Sequence, residues 1–290
     1  MDLGSYLTLP FADHALAAGL LIALICGTIG PFVIARQMAF AVHGAAELSF
    51  TGASAGLIIA GDPVAGALIG SVVVAGIIGL LGERSRERDS AIGVILAAGL
   101  GLGVFLLSRY QGFASAATNI LFGNIFGVST MQILILGGLA LGVMVVMITI
   151  YRPLLFASVD PELAEARGVR LKLLGVVFLV VLALSVTEAA QIVGTLLVLS
   201  LAITPAAAAQ RVARGPAVTT LLSIAIAVIA TEGGLLLALV FSTVPPTVFI
   251  SAISFSSYFI ARLCGPSITR RRRERLGHLV AASADHHDHA

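Results

Sequence analysis

The chain has 290 residues, of which 58% are hydrophobic and 11% are charged, and its formal net charge is +2. Because soluble domains carry about 25% charged residues, this composition excludes a soluble globular protein and predicts an all-α, polytopic membrane protein. The net charge is small, so the placement of charges along the chain is more informative than their total.

Apolar stretches about 20 residues long, the length that spans a bilayer as a helix, occupy most of the chain. The N-terminus lacks a basic region and a cleavage site, so Ala15–Ala35 is predicted to be a first membrane helix rather than a signal peptide. Eight further spans are predicted: Met38–Ala60, Val64–Leu81, Ala91–Ser108, Met131–Tyr151, Leu173–Val186, Ile192–Gln210, Val218–Phe241 and Pro246–Leu263. We therefore expect about eight or nine spans, with ten as a further alternative.

Two stretches leave this count open. Ala114–Val128 is apolar but short, which favours an interfacial or re-entrant segment. The sixth and seventh predicted spans almost meet at Thr187–Gln191, so this stretch is either a tight hairpin or a break within one helix.

Basic residues indicate the orientation, because cytoplasmic loops carry an excess of Lys and Arg. With nine spans, Arg36 and every basic cluster fall on one side; the clusters are Arg84–Arg88, Arg152–Lys172, Arg211–Arg214 and Arg270–Arg275. The N-terminus is then outside and the C-terminus is in the cytoplasm, as for a multi-pass protein of the inner (cytoplasmic) membrane. We divide the chain into a transmembrane domain, residues 1–268, and a tail, residues 269–290.

Glycines recur at the four-residue spacing that lets membrane helices approach closely. The pairs are Gly66–Gly70, Gly99–Gly103, Gly123–Gly127 and Gly138–Gly142. Ordinary packing within one bundle is favoured over a dedicated dimer contact.

His43 and Glu47 are the first candidates for a functional site. They are the only ionisable side chains between Arg36 and Gly61. Four residues apart on a helix, they lie on one face, and an imidazole with a carboxylate can bind a transition metal. Ionisable groups within membrane spans are functional candidates by default, so the pair is either a metal contact or a structural ion pair.

The segment 158–172 is the most polar part of the interior of the sequence. Asp160, Pro161 and Glu162 are typical of a helix start, and Gly168 is typical of a helix end. A short cytoplasmic helix is therefore predicted over Pro161–Arg167. From these residues alone it is either a solvated connector or a coupling helix that contacts a cytoplasmic partner.

Motifs of catalysis are missing from the sequence. A Walker A loop needs a lysine that reaches the phosphates, and the only lysine is Lys172 in VRLKLLG. The sequence also has no GxSxG and no HExxH motif. We therefore expect no enzyme activity, and any ATP hydrolysis must come from another chain.

Two further acids lie in apolar stretches. Glu188 is near the outer end of its predicted span, where it is either a solvated turn residue or part of an outer site that accepts the ion. Glu232 is near the middle of its span, where it must pair, become protonated or contact a water-filled path. Both are weaker candidates than His43 and Glu47 for the ion pathway.

The tail begins with a basic run, which favours attraction to anionic lipid. It ends in ADHHDHA, whose candidate metal ligands are His286, His287, Asp288 and His289. A tail with incidental metal affinity is favoured over a regulatory metal sensor.

Five short segments are informative as an ordered set. The first helix is followed by Arg-x-Met at Arg36–Met38, and Asp89–Ser108 begins with D-x-A-I-G. Leu121–Ser129 is LFGNIFGVS, Asp160–Val169 is DPELAEARGV, and Val193–Gln210 contains VGTLLV followed by PAAAA. Together they resemble the permease subunit of the zinc and manganese ABC importers, which work with cluster A-I solute-binding proteins.

The resemblance extends over roughly Phe11–Gly265 and implies an assembly. It implies a homodimer with the ion pathway at the dimer interface, two copies of an ABC ATPase subunit, and an extracytoplasmic metal-binding protein. It also favours the coupling reading of segment 158–172, whose coupling residues would be Asp160, Pro161, Glu162, Ala164 and Gly168.

One position departs from the family pattern. The family commonly shows G-D-x-x-x-H after Arg-x-Met, whereas here His43 takes the place of the acid and Glu47 that of the histidine. The ligand types are kept in reversed order. Two copies of the pair across a twofold axis would supply enough ligands for a four-coordinate zinc ion.

The sequence thus predicts an ABC importer permease for a divalent transition metal that moves its ion by alternating access. Zinc is favoured over manganese because imidazoles recur at the inner pair and in the tail. The ion is cargo, and we expect no permanently bound cofactor and no nucleic-acid partner. The alternatives are a secondary metal carrier without ATP, a structural or signalling membrane protein with no transport role, and an ABC permease for a metal chelate.

Overall fold

The computed structural model describes residues 10–81, 85–110, 123–241 and 243–264, and every regular element in these ranges is helical. The α-helices are α1 (Pro10–Ala35), α2 (Ala39–Ile59), α3 (Pro63–Leu81), α4 (Ser85–Arg109), α5 (Thr130–Val159), α6 (Pro161–Ala166), α7 (Leu171–Val193), α8 (Thr195–Val212), α9 (Pro216–Val240) and α10 (Pro246–Cys264). A short 3₁₀ turn covers Ile125–Gly127.

Each of the nine predicted spans corresponds to one long helix, so the all-α polytopic fold is confirmed. Six of these helices are long and apolar enough to cross a membrane, and α3 and α8 contain shorter apolar stretches, Pro63–Gly79 and Leu197–Val212. The remaining one, α2, has 21 residues but carries His43, Glu47 and several small polar residues. This helix holds the candidate site, and His43 and Glu47 are its only ionisable side chains.

The two largest errors in the predicted boundaries lie at the ends of the fifth and sixth spans. The fifth span continues past Tyr151 to Val159, with Pro153 inside the helix. The sixth does not end at Val186, because α7 continues through Thr187–Gln191 and stops at Val193. Its polar residues resemble a turn in sequence but are largely buried in the helix. The break lies at Gly194, whose φ of 90° favours glycine.

The bundle is built around α1. In the apolar part of this helix 72% of residues are buried, and it packs against α9, α8 and α5. The corresponding shares are 17% for α4, 22% for α5 and 17% for α10. These three helices therefore form the periphery of the chain, where apolar side chains face lipid or another protein.

Glycines allow the backbones of helices α2 and α3 to contact each other. A Cβ built on Gly66 would lie 2.5 Å from both the Gly52 carbonyl oxygen and the Gly56 Cα atom. Gly70 likewise faces Gly52. The pair Gly66–Gly70 thus packs within the bundle, as the sequence predicted, and this contact fixes the position of α2.

Replacing Gly66 by alanine is expected to separate α2 from α3, because the new methyl group has no room against backbone atoms. Overpacking of this kind costs about 1–3 kcal/mol. Thermal unfolding of the purified protein in detergent measures the loss. Gly76→Ala is the matched control, since nothing lies within 4 Å of a Cβ at that position of the same helix. Equal melting temperatures for the two variants would contradict the packing argument.

Candidate functional site

The side chains of His43 and Glu47 contact each other on α2. The His43 Nε2 atom lies 3.1 Å from the Glu47 Oε1 atom, and the side chains are 34% and 24% exposed. The contact follows from helical geometry, because residues four apart are neighbours on one face. The pair is therefore formed locally, and part of each side chain stays exposed.

The pair does not complete a metal centre by itself. In the described ranges no group of three or more His, Cys, Asp and Glu side chains is close enough to hold a metal ion. One imidazole and one carboxylate leave a four-coordinate ion two ligands short. Further ligands would have to come from water, a transient partner or a second copy of the chain.

Glu188 lies in α7 and is 4% exposed, so its reading as a solvated turn residue was wrong. Its Oε1 atom is buried without a hydrogen-bond partner in the described part of the chain. On the same helix, the Thr187 Oγ1 and Gln191 Nε2 atoms are also buried without one. The C-terminal end of α7 thus carries a polar patch inside the bundle.

Glu232 lies in α9 and faces α1. A Cβ built on Gly19 would be 3.3 Å from the Glu232 Oε1 atom, which is buried and has no hydrogen-bond partner among described residues. Since no three metal-ligand side chains cluster there, the structure brings neither Glu232 nor Glu188 into a common site with His43 and Glu47.

The short helix α6 has well-formed ends. The Leu163 amide donates to the Asp160 carboxylate at 3.0 Å, and Pro161 occupies the first turn. The helix ends before Gly168, whose φ is 83°. The sequence predicted Pro161–Arg167, and the helix ends one residue earlier.

One face of α6 is fixed to the bundle. Ala164 is fully buried, whereas Glu162 is exposed. The helix contacts α5 and α7. It therefore presents an exposed face at this end of the bundle while its other face holds it in place.

Arg36 has a packing role that the sequence did not suggest. Its guanidinium lies over the Phe178 ring at 5.8 Å from the ring centroid. Phe178 is fully buried and contacts Phe32, whose ring in turn lies 5.3 Å from that of Tyr151. Gln37, with φ 54°, forms the turn between α1 and α2. This aromatic cluster connects the end of α1 to α5 and α7, and no sequence motif could reveal it because the three helices are far apart in the chain.

A cavity of about 720 Å³ lies between the 3₁₀ turn, the break at Gly194 and the start of α10. Its lining is mostly apolar, with Asn124, Thr247 and Ser251 as polar members. The block Leu121–Ser129, singled out in the sequence, contributes to it from Gly123 onward. The tail candidates His286, His287, Asp288 and His289 lie outside the described residues.

Known proteins resemble this chain over most of its length. A sequence model of the ABC 3 transport family matches residues 8–265. The manganese transport system membrane protein MntC of Halalkalibacterium halodurans is 34% identical over 204 residues, which cover 70% of each chain. The high-affinity zinc uptake system membrane protein ZnuB of Haemophilus influenzae is 28% identical over 247 residues, 83% of this chain and 94% of that protein.

A solved structure is similar as well. The structure of PsaBC from Streptococcus pneumoniae in complex with Fab matches with a TM-score of 0.81 at 26% identity. The match covers 92% of this chain and 96% of that one.

Proposed function

We propose that this chain, which belongs to the ABC 3 transport family, moves zinc or manganese ions into the cell and that His43 and Glu47 contact the ion on its way. The chain is a membrane-spanning permease subunit, as its family membership and its long apolar helices establish. The observation that carries the ion-contact proposal is the partly exposed imidazole–carboxylate pair, 3.1 Å apart, in a long helix without other ionisable side chains.

The choice of ion rests on ligand chemistry and on relatives. Imidazole suits zinc, and carboxylate oxygen suits manganese. One relative is named for manganese transport and another for zinc uptake. We favour zinc, since two His43–Glu47 pairs from two copies of the chain would supply a four-coordinate set of nitrogen and oxygen ligands.

The other components of the proposed transporter are separate protein chains. Because the sequence has no Walker A lysine, two copies of a separate ATPase subunit would drive the permease through α6. An extracytoplasmic metal-binding protein would deliver the ion at the outer end, with the N-terminus outside and the C-terminus in the cytoplasm. Two copies of the chain would enclose the pathway between them.

Ion uptake by cells tests this function. Cells that lack their own importers receive the chain with its ATPase subunit, and uptake of radioactive zinc and manganese is measured. We expect ATPase-dependent uptake, stronger for zinc. A catalytically inactive ATPase subunit is the control. Equal uptake with the inactive subunit would identify a secondary carrier instead, and no uptake of either free ion would favour a chelate permease.

Glu188 and Glu232 are proposed as weaker members of the pathway. Glutamine at either position keeps the shape of the side chain and removes its charge. If the carboxylates contact the cation, Glu188→Gln and Glu232→Gln lower uptake. The melting temperature should stay equal or rise, because an unpaired buried charge is costly. Unchanged uptake in both variants would remove these residues from the pathway.

A further inference from the structure

Three side chains from two helices meet at the C-terminal ends of α8 and α10. The Arg211 Nη2 atom donates to the Tyr258 hydroxyl at 3.4 Å, and the same guanidinium lies 5.8 Å from the centroid of the tyrosine ring. Arg262 follows Tyr258 by one helical turn on α10, so the two side chains lie on the same face of that helix. Two arginines, one from each helix, are therefore neighbours of one tyrosine side chain.

No negative charge balances the two arginines in the part of the chain that the structure describes. The ion pair found in those ranges is His43–Glu47, and no Asp or Glu carboxylate lies within 4.0 Å of either guanidinium. Both arginines are exposed. Two neighbouring guanidinium groups with N–H donors available form a binding site for an anion with several oxygens. The geometry of arginine matches that of phosphate.

The side chains around this cluster indicate which kind of molecule carries the phosphate. Helix α10 is peripheral, with 17% of its apolar part buried. Phe255 and Phe259 are 64% and 52% exposed, and their rings stack 6.4 Å apart. They lie on the same side of α10 as Tyr258 and Arg262, at helical spacings of three and four residues. Charged donors thus stand at the end of an exposed apolar stripe within one membrane helix.

We propose that Arg211, Tyr258 and Arg262 bind the phosphate of an anionic glycerophospholipid, whose acyl chains lie along Phe255 and Phe259. The two guanidinium groups donate to the phosphate oxygens, and the tyrosine hydroxyl, which accepts from Arg211, holds that arginine in position. A soluble phosphate offers the same anion but would leave the aromatic stripe uncovered. A carboxylate of a cytoplasmic partner would use the arginines and not the stripe.

Native mass spectrometry of the full chain with its ATPase subunit tests the site. Phosphatidylglycerol and phosphatidylcholine with identical acyl chains are titrated against wild type and Arg211→Gln/Arg262→Gln. We expect phosphatidylglycerol affinity to fall about tenfold in the double variant, since each surface arginine attracts an anionic lipid several-fold. Arg214→Gln is the matched control, because it removes one exposed arginine close to the cluster. Residual binding comes from the arginine run that follows Thr269, which all variants keep.

Each outcome is decisive. A fall specific to phosphatidylglycerol in the double variant, with Arg214→Gln unchanged, supports the site. Glycerol phosphate should not displace the lipid. If it displaces phosphatidylglycerol and binds with equal affinity, the ligand is a soluble phosphate and the lipid proposal is wrong. Equal lipid binding by the double variant and wild type also contradicts the proposal. If the double variant instead loses the ATPase subunit, the arginines bind that partner and not a lipid. Arg211→Lys/Arg262→Lys keeps both charges and should retain part of the affinity.

Discussion

Replacing both His43 and Glu47 by alanine is expected to lower ATPase-dependent zinc uptake by about tenfold or more. Substitution of residues that merely support metal ligands already costs about 10–100-fold in affinity or activity. Here the change removes both ionisable side chains of α2. The fold should persist, because both side chains are partly exposed and α2 is held by its glycine contacts with α3.

The measurement is initial uptake of radioactive zinc and manganese at matched amounts of protein in the membrane. His14→Ala is the control, since it removes an imidazole from α1 and leaves the pair intact. The single variants His43→Ala and Glu47→Ala show how much of the loss of uptake each side chain causes. If the pair were only structural, the double variant would melt at a lower temperature and the protein that remains folded would transport normally.

Exchange of the two residues, His43→Glu with Glu47→His, examines the reversed ligand order. The side chains lie on one helix face one turn apart, so the exchange keeps both ligand types within reach of the same ion. We expect partial uptake, well above that of the double alanine variant. Complete loss of uptake would show that transport requires the histidine at position 43 and the glutamate at position 47.

Local spacing explains why much of this structure could be predicted. The contact between His43 and Glu47 depends only on helical periodicity. The ends of α6 follow from Asp160, Pro161 and Gly168, whose side chains and backbone preferences act within a few residues. Long apolar runs likewise predicted nine long helices, because a membrane helix needs a fixed length.

Features that depend on distant residues escaped prediction. Thr187 and Glu188 seemed to mark a turn, but neighbouring helices enclose them and α7 continues. Arg211 and Tyr258 are 47 residues apart, so their contact depends on how α8 and α10 pack. The candidate metal site is the extreme case. In the described residues it has two ligands, and its completion depends on molecules outside the chain.

Ala164→Glu is expected to abolish coupled uptake, with a loss of about tenfold or more. Ala164 is fully buried where α6 contacts α5 and α7, and an unpaired carboxylate buried there costs several kcal/mol. Six residues cannot stay helical without support from packing. The variant should therefore release α6 from the bundle and remove the surface that we propose the ATPase subunit pushes.

Ala166→Glu is the matched control, because it introduces the same side chain into the same helix at an exposed position. The comparison uses uptake together with the rate of ATP hydrolysis by the purified complex. If α6 couples the two activities, Ala164→Glu loses uptake while hydrolysis becomes independent of transport, and Ala166→Glu stays close to wild type. Normal uptake by Ala164→Glu would mean that the packed position of α6 is not needed for transport. The drive from the ATPase would then have to enter through another part of the cytoplasmic surface.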